Sequence, residues 1–156
     1  PAEVVAAGNE RHVGRGIKVY IKVEGDIGNV ATIAPGQPLN YIMTYKRRKD
    51  YTVLVAFGSE PATLDTDAVQ RVLSAQLPGV KVLDTSSYGW NHAPYSKGTW
   101  ASYRPGWAEK YSAQFQKHYG RIVFGSGDHG EGWRGTIDGA IGAGIRAAQQ
   151  VKIRLG

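Results

Sequence analysis

Residues 120–148, GRIVFGSGDHGEGWRGTIDGAIGAGIRAA, run from a short apolar segment through a glycine-rich turn into a helical pattern. A turn of this kind lets main-chain N–H groups and the positive end of a helix close on a phosphate or another electron-rich group. Two of its titratable residues, Asp128 and His129, could do chemistry. Asp128 is either a ligand contact or an ordinary turn aspartate, and the lone His129 either a base or a turn residue. Lys97, Arg104 and Arg134 are cations that could hold a carboxylate or a phosphate, the alternative being plain surface charge. Upstream, residues 88–119 are rich in aromatic, glycine and proline residues, and long ordered loops of that character usually carry function. The glycine turn nevertheless closes the chain instead of opening it. No G-x-G-x-x-G with an acidic residue about 20 positions on is present. The glycines of IGAGIRAA lie within a helix rather than before one, so they are read as packing positions.

The chain that must position these residues has 156 residues, about one domain, and a globular chain of that size buries roughly 70% of its unfolded surface. Apolar residues make up 42% and charged residues 21%, while the 21 glycines are about twice the usual usage and predict many turns and close backbone approaches. The net charge is +6, and the one dense basic run, Lys46-Arg47-Arg48-Lys49, reads as a solvated loop or strand end rather than a nucleic-acid patch, since no aromatic platform surrounds it. With no cysteine, disulfides, thiolate catalysis and zinc–thiolate sites are excluded, and no metal site is expected. No apolar run approaches the roughly 18 residues that span a bilayer, so the expectation is a soluble protein with no membrane partner, placed in the cytoplasm. The sequence begins at Pro1, which suits a processed piece or a subunit from a longer precursor as well as an isolated segment.

Periodicity supplies the scaffold. Ile17–Val23 alternates as a half-buried strand; LNYIMTYK and Asp50–Gly58 are two more, the second apolar enough for both faces to be covered, with the basic run as their turn. In EPATLDTDAVQRVLSAQLPGV, Asp65, Thr66 or Asp67 caps a helix bearing Val69, Val72, Leu73 and Leu77, which Pro78-Gly79 ends. VKVLDTSSYGW is a short strand, 108–119 a helix, and RIVF a buried strand leading into the glycine turn. The last helix carries Gly139, Ala140, Ala143, Gly144, Ala147 and Ala148, and so many small residues predict a close neighbour. The expected class is mixed α/β (α+β): an antiparallel sheet with a covering helix, then a piece of parallel α/β sheet.

Three stretches, in order, resemble the C-terminal part of the flavin-containing amine oxidase family, which includes monoamine, polyamine and L-amino acid oxidases. They are IKVYIKV, the WNHAPYSKGTWASYRPG of residues 90–106, which is similar to the family's W-x-x-x-P-Y-S-x-G-x-Y/W, and the terminal turn and helix. The resemblance implies that residues 1–118 belong to a substrate-binding domain with an aromatic active-site loop at 88–106. Residues 119–156 would then be the strand–turn–helix that completes a Rossmann-like FAD-binding domain. It also implies a partner, since the adenine-binding half belongs to an N-terminal FAD-binding polypeptide, making a hetero-oligomer or a longer parent chain.

Site roles follow from the same resemblance. Gly135, Thr136 and Ile137 would present amides to the flavin ring and stabilise its reduced form. Asp128, with Gly127 at the family's usual acidic position, falls where the ribityl chain or pyrophosphate is contacted, a turn aspartate being the alternative. Trp90 is similar to the tryptophan packed near the ring, a plain core tryptophan being the rival. Trp100 matches one wall of the aromatic cage around the substrate amine. Thr136 takes the place of the other wall, and Trp133 follows Gly132 as in L-amino acid oxidases. Thr99 stands where monoamine oxidases carry the flavin-bonding cysteine, which implies non-covalent FAD. The implied activity is oxidation of a primary or secondary amine to an imine, with hydride passing to flavin and oxygen reoxidising it to give hydrogen peroxide. The alternatives are an L-amino acid oxidase subunit and a non-catalytic flavin-binding or structural subunit; no nucleic-acid partner is expected.

Overall fold

A computed structural model describes residues 1–59 and 65–155. Residues 60–64, the start of the stretch expected to lead into the capped helix, and Gly156 lie outside the described residues. Two compact units emerge: residues 15–99, and residues 1–14 together with 100–156. The junctions between these compact units fall at 14/15 and 99/100, and the aromatic loop 88–106 contributes residues to both.

Residues 15–99 form a five-stranded, wholly antiparallel sheet in the order β2-β3-β4-β1-β5. Its strands are β1 (Gly16–Glu24), β2 (Ala31–Ile33), β3 (Leu39–Arg47), β4 (Tyr51–Ser59) and β5 (Val82–Ser87). The alternation of β1 places Val19, Ile21 and Val23 on one face, where they meet Leu39, Ile42, Leu54 and Ala56. Helix α2 (Thr66–Gln76) covers that face with Val69 and Leu73. Of the three candidate caps the sequence offers, it is the Asp65 carboxylate that accepts the Ala68 N–H, at 2.7 Å. Gln70 ties the helix to the entry of β5, accepting from Val82 N–H at 2.7 Å and donating to the Val80 carbonyl at 2.9 Å. On the other face Tyr20 packs edge-on to Tyr45 and Tyr41 stacks on Phe57, with the Lys18 and Lys22 ammonium groups over Tyr20 and Tyr51. Val55 on this face is buried too, in keeping with the expectation that β4 is covered on both sides. The basic run is shared between structures: Lys46 and Arg47 complete β3, and only residues 48–50 form the connection.

In the terminal unit, α1 (Ala2–Glu10), which sequence periodicity did not reveal, rests on α3 (Trp107–Tyr111) and a 3₁₀ turn, Ser112–Gln116. Ala7, Trp107, Tyr111 and Phe115 are its buried core. The Trp107 indole N–H donates to the Ala7 carbonyl at 3.3 Å, and the Tyr111 hydroxyl and Lys110 ammonium both donate to the Glu10 carboxylate. Those contacts hold the Glu10 carboxyl below its ordinary value, the Tyr111 bond first among causes.

Two expectations need correction here. The helix expected over 108–119 is α-helical only to Tyr111. It then tightens to 3₁₀ where Phe115 packs against His129 and Phe124. RIVF is not a strand: a single bridge between Tyr119 and Ile122 is all that forms, and Ile122 is exposed. A buried parallel strand needs hydrogen-bonded neighbours, and none of the described residues supplies one. The final helix, α4 (Ile137–Leu155), forms as read.

Candidate active site

The glycine turn is a folded knot rather than an open loop. After a one-turn 3₁₀ segment, Gly127–His129, started by the Ser126 hydroxyl accepting the Asp128 N–H at 3.2 Å, the chain doubles back. The Gly135 N–H then donates to the Gly127 carbonyl at 2.9 Å. The Thr136 hydroxyl donates to the Trp133 carbonyl at 2.7 Å and accepts the Gly139 N–H at 3.2 Å, capping α4. Gly139 lies so close to the Trp133 carbonyl that any Cβ there would run into it. That is the packing reason for one of the glycines in this helix. Gly142 and Gly144 face open space, so their expected close neighbour is not found among the described residues.

These bonds revise the list of free amides. Of the three N–H groups expected to face a ligand, Gly135 is taken by Gly127 O and Thr136 by Trp133 O at 3.3 Å. The N–H groups of Ile137 and Asp138 find no acceptor among the described residues. A helix start leaves its first amides without intrahelical partners, and here the threonine cap satisfies Gly139 while leaving the two before it unspent. Gly135, at φ 76°, has open space among the described residues where a Cβ would be. Two orphan donors at the positive end of a 19-residue helix suit an electron-rich acceptor such as a carbonyl of a flavin ring.

The side chains around this turn are displayed on fixed backbone. The Trp133 indole is 71% exposed although its carbonyl accepts two hydrogen bonds. Trp100 is likewise exposed, while its carbonyl takes the Ser102 N–H at 2.8 Å and Ser102 O takes the Val13 N–H at 2.6 Å. The Asp128 carboxylate is exposed and raises the Tyr103 phenol further above its ordinary value, burial being the larger cause. His129 stacks flat on Phe115 at 4.0 Å, and burial lowers its pKa. That is the environment of a packed neutral imidazole. Arg104 donates to the Glu10 carbonyl at 3.2 Å, Arg134 is bonded to Ser112, and Lys97 is exposed at φ 53°.

Trp90 and Thr99 belong to the sheet unit. Trp90 is half exposed and edge-on to Tyr88 at 4.6 Å, so it is not a core tryptophan of that unit. The Thr99 hydroxyl accepts the Gly16 N–H at 2.9 Å, and Asn91 Nδ2 donates to the Gly16 carbonyl at 3.1 Å. Both polar groups of the first residue of β1 are thereby pinned to the aromatic loop. The spacing of the loop aromatics carries no hint of Asn91, whose Oδ1 is buried without a partner. Nor does sequence disclose the Arg134–Ser112 bond, which joins residues 22 positions apart.

Comparison with known proteins fits this arrangement. A family profile described as "Flavin containing amine oxidoreductase" matches residues 1–152. The chain is 41% identical over 150 residues to pseudooxynicotine dehydrogenase of a Pseudomonas species. It is 35% identical over 148 residues to nicotine dehydrogenase of Pseudomonas putida, and in both cases 92% of this chain covers 30% of the relative. It is 28% identical over 134 residues to (S)-6-hydroxynicotine oxidase of Paenarthrobacter nicotinovorans, with 85% of this chain on 32% of that one. The chain thus spans about a third of the length of the curated relatives it matches. Among solved structures, a cofactor-binding redesign of putrescine oxidase superposes with a TM-score of 0.77 at 18% identity over 97% of this chain and 38% of that one. Cyclohexylamine oxidase from Brevibacterium oxydans does so with a TM-score of 0.78 at 15% identity over 99% and 38%, a likeness of fold. With a profile match running from the first residue to 152, through sheet, aromatic loop, glycine turn and final helix alike, the chain belongs to the flavin-containing amine oxidoreductases.

Proposed function

We propose that this chain is the C-terminal portion, or a small subunit, of an FAD-dependent amine oxidase that converts a primary or secondary amine to an imine, with oxygen as final acceptor and hydrogen peroxide as product. The relatives named for pseudooxynicotine, nicotine and 6-hydroxynicotine favour an alkaloid amine of that kind as substrate. The observation that carries the reading is the pair of unspent amides, Ile137 and Asp138, at the start of α4. When bound, FAD supplies the two-electron acceptor for hydride leaving the carbon beside the substrate nitrogen.

The chain's own residues divide the remaining work. The Ile137 and Asp138 amides hold negative charge at the helix start, and Gly127, Gly135 and Thr136 fix the backbone that aims them. Trp100 and Trp133 offer exposed indoles that wall off water and orient an amine. Trp90 and Asp128 are further cofactor contacts. Thr99 has no thiol and its hydroxyl is spent on Gly16, so the cofactor is held without a covalent bond. The N-terminal FAD-binding polypeptide supplies the dinucleotide fingerprint.

The test is made on the full-length protein. Acid precipitation should release yellow cofactor into the supernatant, and peroxide should appear with an amine panel but not with an amino-acid panel. Ile137→Pro deletes one N–H at a helix position that accepts proline. It should lower kcat by about a hundredfold, as loss of one donor to developing charge does, without changing the melting temperature. An unaltered kcat, or a colourless protein that cannot be reconstituted with FAD, would refute the reading.

A further inference from the structure

Arg134 lies between Trp133 and Gly135, yet its side chain is committed elsewhere. Its Nη2 donates to the Ser112 hydroxyl at 2.8 Å, and its guanidinium carbon sits 5.8 Å from the centre of the Tyr103 ring. That ring stacks on buried Trp107 at 3.6 Å and 5°. Its Nε is buried without an acceptor. Among the described residues, no other side chain from 130 to 135 makes a hydrogen bond or ion pair. The guanidinium thus links the 132–137 part of the turn, which displays Trp133 and the free amides, to the aromatic core of its unit, while His129 anchors the preceding part on Phe115.

We infer that Arg134 is a positioning residue, a brace that fixes the height and direction of the 132–137 turn. The inference rests on the function proposed above for that turn. A planar fork within cation–π reach of an aromatic ring, with one N–H bonded, holds direction in a way a flexible ammonium does not. Without the brace the turn keeps its backbone bonds to Gly127 and Trp133, so the fold survives while the indole and amides lose their aim.

The experiment uses the full-length enzyme with Arg134→Ala, Arg134→Lys and Ser112→Ala. For an amine without a carboxylate, Arg134→Ala should lower kcat by about tenfold to about a hundredfold with little change in KM, the size expected of a misplacement near 1 Å. Arg134→Lys should recover part of this. Ser112→Ala should reproduce a fraction in the wild-type background and add nothing in Arg134→Ala, because the two share one bond. Hydrogen exchange at the amides of Gly135 and Thr136 should quicken by about tenfold in Arg134→Ala while the sheet unit is unchanged. Unchanged kcat and exchange would overturn the inference. So would a defect confined to KM for carboxylate-bearing substrates, since Arg134 would then be a substrate ligand. A colourless wild-type protein would end the flavin reading alone, and the exchange result would still decide for or against the brace.

Discussion

In residues 15–99, Val19, Ile21, Val23, Ile42, Leu54 and Leu73 are fully enclosed between one sheet face and one helix, and on the other face the Lys18 and Lys22 ammonium groups lie over Tyr20 and Tyr51. Helix α4 of the other unit instead carries Ile137 at 82%, Ile141 at 58%, Ile145 at 56% and Ile153 at 81% exposure. Its unit encloses a small aromatic core around Trp107, and among the described residues nothing packs where a Cβ at Gly142 or Gly144 would sit. The sheet unit has the larger enclosed core, whereas the terminal unit displays an aliphatic helix surface of the kind that further protein covers. The chain spans about a third of the length of the curated relatives it matches.

The sharpest way to break this contrast is truncation on each side of it. In the 156-residue chain, Leu54→Ala should cost about 2–5 kcal/mol by removing fully buried methyl groups, whereas Ile141→Ala should stay within about 0.5 kcal/mol. Urea melts of the two variants give the comparison directly, and equal losses would show that α4 is buried. The glycines of α4 provide a smaller, opposite-signed pair. Gly139→Ala should destabilise by about 1–3 kcal/mol because the Trp133 carbonyl occupies the space, and Gly142→Ala should stabilise by about 0.5–1 kcal/mol as a plain helix substitution. In the full-length protein the sign at Gly142 should reverse if a neighbour packs there, which the difference in melting temperature between the two contexts reads.

Association is the next effect in size. Exposed Ile141 and Ile145 should drive concentration-dependent self-association of the isolated chain, and Ile141→Glu should lower its sedimentation coefficient at high concentration towards the monomer value. The smallest effect is electrostatic. Burial depresses the pKa of His129, so the folded unit binds the proton less readily than the unfolded chain does. Its contribution is complete above the ordinary value of 6.5 and is lost as pH falls below it towards the depressed folded value. Between pH 7.5 and pH 5.5 the terminal unit should loosen relative to the sheet, visible in the emission of Trp107, and His129→Phe should flatten that dependence.

Local chemistry made much of this molecule legible. The alternation of Ile17–Val23 is the register of β1, Asp65 is the observed cap of α2, and the helical spacing beyond residue 136 is α4. The same reasoning missed α1, whose AEVVAAGNE lacks a distinctive apolar period and is held by contacts with residues about 100 positions away. It failed at RIVF because strand formation depends on neighbours that a single segment does not encode. At the site, the resemblance drew attention to the turn before α4, but amide availability is a matter of which carbonyls come near. Gly135 and Thr136 lost their donors to Gly127 and Trp133, and Thr99 spent its hydroxyl on Gly16.

What the sequence determined by itself is what short-range physics writes into it: the two-residue period of a strand, the carboxylate at a helix start, the glycine-rich turn before a small-residue helix, and the absence of any thiol. Only the tertiary structure decided that Gly139 is pressed against a carbonyl while Gly142 is free, that Arg134 reaches Ser112, and that Ile137 and Asp138 keep their amides. Those outcomes depend on which distant groups are brought within a few ångströms, and spacing along the chain does not specify that.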